Sequence, residues 1–447
     1  MKKIFYTSIA IFLLLAFSGC RDFLDFKGNN TYEVPTSLDH LQALLNENGT
    51  MNVAATPVMG DYWSDDYYLP LERFEALPEV FQGSYIWNLK DFIHPNDWSS
   101  AYRPIYPANY CLEGLQRIAR NSDNSAQYDY IRGVALFFRA YYYQQLLWTF
   151  SPAYDATTAS ADVGIVLKED SDFNTPSIRS SVQAGYDRVI QEAKLALDLL
   201  PDLSRIPTLP SKVAAHSLLA RAYLSMRQYP DALDHVEEAL KLKSNLIDFN
   251  KKTTGVDPNQ TFTFQKYNSD IVFYSEMNSY RGNLTGGAPI DTLLLRSYEE
   301  ADLRKHFYFI ENNGNMTFRG SYANNVMFSG IATDELHLIR AECLARAGKV
   351  SETMDVLNYF LRFRFDDNKV YVPVMASNKE KALDIVLLER RKTLLFRGMR
   401  LMDIKRLNKE GRNIAIVRNI GDKQYRLEPN DPRMVVPLPE DLRSFVK

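Results

Sequence analysis

Histidine, tryptophan and cysteine are scarce in this chain, with six His, four Trp and three Cys among 447 residues. The histidines are scattered, and neither a His-Glu-x-x-His helix nor a closely spaced Cys/His set occurs, which removes the familiar zinc arrangements. A Gly-x-Ser-x-Gly nucleophile turn and a glycine-rich phosphate loop are also lacking. No catalytic residue, metal ligand or cofactor is expected. Excess charge of one sign is missing too: 52 basic and 55 acidic residues leave a formal charge of −3. No Lys/Arg run interleaved with aromatics overrides that balance, so nucleic acid is not an expected partner. Beyond the first 17 residues no apolar run is long enough to cross a bilayer.

What the chain does have begins at its start. Met1, Lys2 and Lys3 precede an apolar run from Ile4 to Phe17, then small Ser18 and Gly19, then Cys20. This layout predicts a cleaved signal peptide over residues 1–19, with Cys20 left as the lipidation site. Acyl chains such as palmitate, at about 0.8 kcal/mol per buried methylene, would hold the mature protein on a membrane without any transmembrane helix. Phe17 stands where a bacterial lipobox usually has Leu. Loss of Lys2 and Lys3 takes the formal charge from −3 to −5. Cys111 and Cys343 sit in apolar helical patterns and read as two buried thiols rather than a disulfide.

Hydrophobic residues make 46% of the chain, enough for a large core, and aromatic residues alone make 13%. Residues 36–46 read as a short helix with Leu38, Leu41, Leu44 and Leu45 on one face. Residues 49–95 mix Gly, Pro, Asn and Asp with aromatics and read as long surface loops. Helical spacing returns over 98–150 as a hairpin and over 181–200 as an amphipathic helix that Pro201 ends. In KVAAHSLLARAYLSMRQYPDALDHVEEALKL, residues His216, Leu219, Ala220, Tyr223, Ala232, Val236 and Ala239 follow the spacing of a tetratricopeptide repeat. A second copy runs from Asp334 to Arg364, with Ala341 and Leu357 at matching positions and Gly348 at the turn. Such hairpins bury their faces only when stacked, so 98–150, 181–243, 334–362 and a last helix from Lys379 to Phe396 are expected to form one scaffold. Residues 270–277 alternate and predict a strand inside a loop-rich insertion over 246–331.

Several motifs then point to a family. Cys20, Asp22, Phe23, Leu24 and Asp25 open the mature chain, and Ala135, Phe137, Phe138, Arg139, Ala140, Tyr141, Tyr142 and Tyr143 form an inner motif. A late motif, LLERRKTLLFRGMRLMDIKRL, supplies Glu389, Arg390, Arg391, Leu394, Phe396, Gly398, Arg400, Asp403, Lys405 and Arg406. Together with Pro437 to Phe445, these resemble the SusD/RagB group of outer-membrane nutrient-binding lipoproteins; Thr393 and Arg397 stand where that group usually has acids. The resemblance implies a mainly α fold, SusD-like, in which tetratricopeptide-like hairpins carry a loop-rich insertion with short strands. It implies a single domain over 20–447, with scaffold at 98–243 and 334–397 and binding regions at 49–95 and 246–331. It further implies a surface-exposed protein, anchored in the outer membrane, that binds glycan, or peptide as RagB-like members do, as a lid over a SusC-like TonB-dependent transporter. An envelope adaptor of tetratricopeptide type is the remaining non-enzymatic alternative.

Candidate binding residues follow from chemistry. Tyr62, Trp63, Tyr67 and Tyr68 offer rings to stack on sugar faces, and Asp61, Asp65 and Asp66 offer acceptors for hydroxyls. Tyr280, Arg281 and Asn283 offer a second wall. The same acids read as hydrogen-bonding loop carboxylates or as a glycosidase pair, which sequence spacing does not separate. The Arg/Asp set around 390–406 reads either as an ion-pair network or as a clamp for a substrate carboxylate or phosphate.

Overall fold

Alanine at the contact positions of successive helices sets how closely they approach. In the computed structural model, which describes residues 37–90, 92, 96–252, 255–279 and 284–446, the chain from Ser37 onward forms one compact unit. Helix α1 (Leu38–Asn46) starts on Ser37, whose hydroxyl accepts from the His40 amide. Four short helices follow, α2 (Asn48–Met51), α3 (Met59–Tyr62), α4 (Leu71–Glu75) and α5 (Glu79–Tyr85). The expectation of long surface loops over 49–95 is therefore corrected. Many side chains there are buried, because aromatic residues held between polar ones found core partners from distant parts of the chain.

The scaffold comes next: α6 (Asp97–Tyr102), α7 (Ile105–Gln116), the 26-residue α8 (Ser125–Phe150), and strands β1 (Val163–Val166) and β2 (Arg179–Ser181), paired antiparallel. Then come α9 (Val182–Leu199), α10 (Lys212–Met226) and α11 (Tyr229–Leu242). Helices α7 through α11 pack in sequence order, each on the one before. Trp98 is buried against Tyr102 and Phe150, stapling the first hairpin. Ala220 and Ala232 have no exposed surface, which lets α10 and α11 meet closely. Arg227 turns the chain between them at φ +64°, and its guanidinium donates to the Tyr154 carbonyl at 2.6 Å.

The insertion carries β3 (Ile271–Phe273), α12 (Thr292–Arg296), α13 (Arg304–Tyr308), β4 (Phe309–Asn312), β5 (Asn315–Phe318) and β6 (Ile331–Ala332). The expected strand over 270–277 is shorter, and it pairs with β6 rather than with a local neighbour. Asn313 and Gly314, both at positive φ, close the β4–β5 hairpin, as a two-residue turn of this hand requires. The scaffold resumes with α14 (Thr333–Arg346), α15 (Val350–Arg362), α16 (Lys379–Thr393) and α17 (Arg400–Asn408), and the antiparallel pair β7 (Ile416–Ile420) and β8 (Lys423–Leu427) follows. Gly348 turns α14 into α15 at φ +75°. Helix α8 ties the scaffold to the insertion, since Phe137, Phe138 and Tyr141 close edge-on around Phe273. The three consecutive tyrosines donate to separate carbonyls, Tyr141 to Ser329, Tyr142 to Met51 and Tyr143 to Lys168. Cys111 and Cys343 are buried free thiols.

His216 is satisfied within the repeat. Its Nδ1 lies 3.0 Å from Nδ1 of His235, whose ring stacks on Tyr223. One proton fills that line, and burial followed by the neighbouring imidazole pushes His235 down to about 4. An imidazole whose folded pKa lies below its ordinary 6.5 contributes stability that is complete above 6.5 and lost as pH falls through about 4. The urea midpoint should therefore drop between pH 6.5 and 4, and His235→Phe should flatten that drop. Identical pH profiles for the two proteins would sink the assignment.

Candidate ligand-binding face

The segment from Asp61 to Tyr67 lies against the late arginine motif, far along the chain. Asp65 binds the Arg400 guanidinium through both oxygens, at 2.6 and 2.8 Å, and Asp66 meets Arg391 at 2.9 Å. Burial alone would raise Asp65, but Arg400 and Arg391 hold its carboxyl well below the usual range. Asp61 has no exposed surface and accepts from the Gly398 amide at 3.0 Å. Burial, then nearby Asp66, raises it well above the ordinary carboxylate value. Its second oxygen has no hydrogen-bond partner among the described residues.

The aromatics of this segment turn inward. Tyr62 and Trp63 are each 1% exposed and Tyr67 is buried beside them. Trp63 Nε1 donates to Ser84 at 3.3 Å, and Tyr67 donates to the Tyr62 carbonyl at 2.7 Å. Arg418 donates to the Tyr62 and Ser64 carbonyls, both at 2.8 Å, and its guanidinium lies over the rings of Tyr85, Trp87 and Tyr67. The platform expected of Tyr62, Trp63 and Tyr67, and the hydroxyl acceptors expected of Asp65 and Asp66, are thus corrected. The rings are core, and the carboxylates are spent on arginines. Tyr68 alone in this run turns outward, 38% exposed, its hydroxyl donating to Asn315 Oδ1 at 3.3 Å.

Tyr280, Arg281 and Asn283 lie outside the described residues, yet both flanks of that segment are placed. Asn278 donates from its side chain to Ser100 at 2.8 Å and from its backbone to the Thr56 carbonyl at 2.8 Å. On the other flank, Arg73 donates to the carbonyls of Leu284 and Gly286, at 3.3 and 2.8 Å. The residues flanking 280–283 therefore lie beside residues that flank 61–68, with the Tyr68 amide donating to the Pro289 carbonyl at 3.0 Å.

Sequence reasoning missed a second feature of the insertion. A hollow of about 620 Å³ is bordered by Lys252, Asp257, Gln260, Phe262, Gln265 and Asn324, with Phe262 43% exposed. Beneath it Phe264 packs on Tyr322, Phe249 and Phe307. Arg319 stiffens one edge by donating to the Pro258 and His306 carbonyls. The available signal was the run NQTFTFQKYN, in which aromatics alternate with amides and hydroxyls.

The arginines of the late motif are occupied by protein. Arg390 and Arg406 both bind Asp403 at 2.8 Å, and Arg406 reaches Glu342 at 2.6 and 2.7 Å. Arg397 binds Asp334 through two 2.9 Å contacts and stacks on Tyr322, while Thr393 accepts from Arg304 at 2.9 Å. Of the two readings left open for this motif, the ion-pair network is the one built. Among the described residues, no group of three or more His, Cys, Asp or Glu is placed to hold a metal ion.

Two substitutions separate packing from binding. Trp63→Ala should cost about 3–5 kcal/mol as a core truncation, and Asp66→Ala about 1–3 kcal/mol by removing one acceptor of Arg391, which keeps the Asp65 carbonyl at 2.8 Å. Both losses appear as lower urea midpoints. An unchanged midpoint for Trp63→Ala would contradict its place in the core.

Comparison with known proteins agrees with this architecture. A family model described as starch-binding and associating with outer membrane matches residues 22–224, and a SusD family model matches residues 239–434. Among solved structures, a SusD superfamily protein of Bacteroides thetaiotaomicron is 19% identical, covering 92% of this chain and 99% of its own with a TM-score of 0.72. A putative sugar binding protein of Bacteroides vulgatus is 20% identical over 93% and 99%, also with a TM-score of 0.72. A SusD-like carbohydrate binding protein of the same species is 17% identical over 92% and 96%, with a TM-score of 0.68. No curated protein matches this chain. The two family models between them span nearly all of it from residue 22 to residue 434, and the chain belongs to the SusD/RagB family.

Proposed function

We propose that this chain is a surface-held lipoprotein that captures oligosaccharide or polysaccharide outside the cell and passes it to a SusC-like TonB-dependent transporter. The observation that carries the reading is the pair of family matches, one of which describes starch binding at the outer membrane. The geometry supports it: Tyr68 and Phe262 present partly exposed rings beside Asn315, Asn324 and Gln260, a mix of apolar faces and amides that suits sugar rings and hydroxyls. The segment holding Tyr280, Arg281 and Asn283 supplies further contacts in this proposal. Binding without turnover is its task, since Asp65 and Asp66 hold arginines rather than facing a cleavable bond.

Mature protein should be retarded in native gels carrying soluble starch, xylan, galactomannan or pectin. Tyr280→Ala combined with Arg281→Ala should restore much of the mobility without releasing reducing sugar in either case. Unchanged mobility in every gel, with peptide binding by calorimetry, would transfer the function to peptide capture. Cys20 is the anchor in this proposal. Cys20→Ala should abolish incorporation of labelled palmitate and move the protein from the membrane fraction to the soluble fraction, and persistent labelling would disprove the anchor.

A further inference from the structure

A second aromatic platform stands outside the site proposed above. Phe173 is 83% exposed, and its ring stacks on Tyr106 of α7 at 5.0 Å and 19°. Tyr106 is 40% exposed, and Tyr110 lies one turn further along, 6.3 Å from it. An apolar ring so exposed normally folds back onto the surface, since burying a phenylalanine is worth about 1.5–3 kcal/mol. Here its loop is tied down on both sides.

Asn109 donates to the Lys168 and Asp170 carbonyls at 2.8 and 3.0 Å. Glu113 accepts from the amide and hydroxyl of Ser171, both at 2.7 Å. Lys168 reaches forward to the Asp172 and Thr175 carbonyls, and Asp172 accepts from the Asn174 amide at 2.8 Å. These bonds hold the 168–175 loop in one shape with Phe173 at its tip. A ligand meeting that ring orders little that is not already ordered.

The platform is also in line with the first site. Between α6 and α7, Arg103 and Pro104 keep helical dihedrals, φ −55°, ψ −47° and φ −73°, ψ −21°. Ser99, Arg103, Tyr106 and Tyr110 therefore follow one face at spacings of four, three and four, and all four are at least partly exposed, while Trp98, Ala101, Ile105 and Ala108 face the core. At the near end of this row Asn278 holds Ser100. From Ser99 to Tyr110 the row covers about 16 Å at 1.5 Å per residue. That is the reach of several linked rings.

The geometry points to an extended carbohydrate track along α6 and α7, in which Phe173 and Tyr106 stack on sugar units beyond those held near Asn278, so that the preferred ligand is a long, neutral glycan chain. This rests on the carbohydrate-binding reading above. A polyanionic chain is disfavoured at the platform, because Asp170 and exposed Asp172 flank Phe173 and Lys168 is already committed to two carbonyls and to Asp170 at 3.1 Å, which leaves aromatic faces and hydroxyls as its contacts.

The test is calorimetry with the disaccharide-to-octasaccharide ladder of whichever of the four polymers retards the protein, on parent and Phe173→Ala. Phe173 is so exposed that the variant should melt as the parent does. Loss of one stacking contact should raise the Kd for the octasaccharide roughly tenfold and leave the disaccharide within about twofold. Equal octasaccharide affinities, or equal losses at both ends of the ladder, overturn the track while leaving glycan capture intact. If the parent binds none of the four polymers, glycan capture and the track fail together. A stronger response to acidic pectin fragments than to any neutral ladder also overturns the track.

Discussion

Taking a guanidinium out of water costs several kcal/mol unless a carboxylate and further acceptors meet it, and this fold supplies both at Arg221, Arg304, Arg364 and Arg406. The carboxylates that tie elements together come from distant stretches of chain: Glu335 for Arg221, Glu389 for Arg304, Asp270 for Arg364, Glu342 for Arg406. Around α16 and α17 the same device recurs at the half-buried rim, where Arg391 and Arg400 take Asp66 and Asp65. A helix presenting such a row cannot rotate or slide without stranding a charge. The packing of α14, α16, α17 and the segment from Asp61 to Asp66 is thereby fixed in register, and the hydrophobic contacts fill in around it.

Local pattern was enough for the scaffold because helical periodicity is a short-range signal. The repeat at His216 to Ala239 and its second copy around Ala341 lie in α10, α11, α14 and α15, and Gly348 turns the chain where a left-handed residue was expected. The segment around Trp63 was misread for the opposite reason. A run of tyrosines, tryptophan and aspartates has one composition whether it faces a sugar or an arginine, and what decides is Arg391, Arg400 and Arg418, more than 300 residues away. Tyr68 and Tyr67 are adjacent and chemically identical, and one is exposed while the other is core. Phe173 carried no motif at all. Its significance comes from the loop bonds of Asn109, Glu113 and Lys168, which no spacing rule announces.

The division between buried charge and exposed aromatic has a consequence for ligand choice. Because the motif arginines are held within the fold, what the described residues around Tyr68 and the hollow offer are chiefly amides, hydroxyls and rings. Recognition on such a surface depends on shape and on many weak contacts rather than on one strong ion pair. Affinity then grows with the number of rings engaged, which favours polymers over monomers in a way that a charged pocket would not. A single substitution at an exposed ring should consequently be mild for short ligands and severe for long ones, whereas a substitution at a buried arginine is felt through the fold regardless of ligand.

Rigidity sets the last constraint. The hollow near Phe262 rests on an aromatic floor, the Phe173 loop is tied at both ends, and Arg73 grips both carbonyls after the 280–283 segment. Surfaces ordered before binding lose little entropy on binding, so weak contacts add more fully to affinity. They also adapt poorly, which ties selectivity to the spacing between rings. The row from Ser99 to Tyr110 is fixed by a helix whose rise is constant, so its aromatics can meet only chains whose repeat brings a sugar face to each in turn.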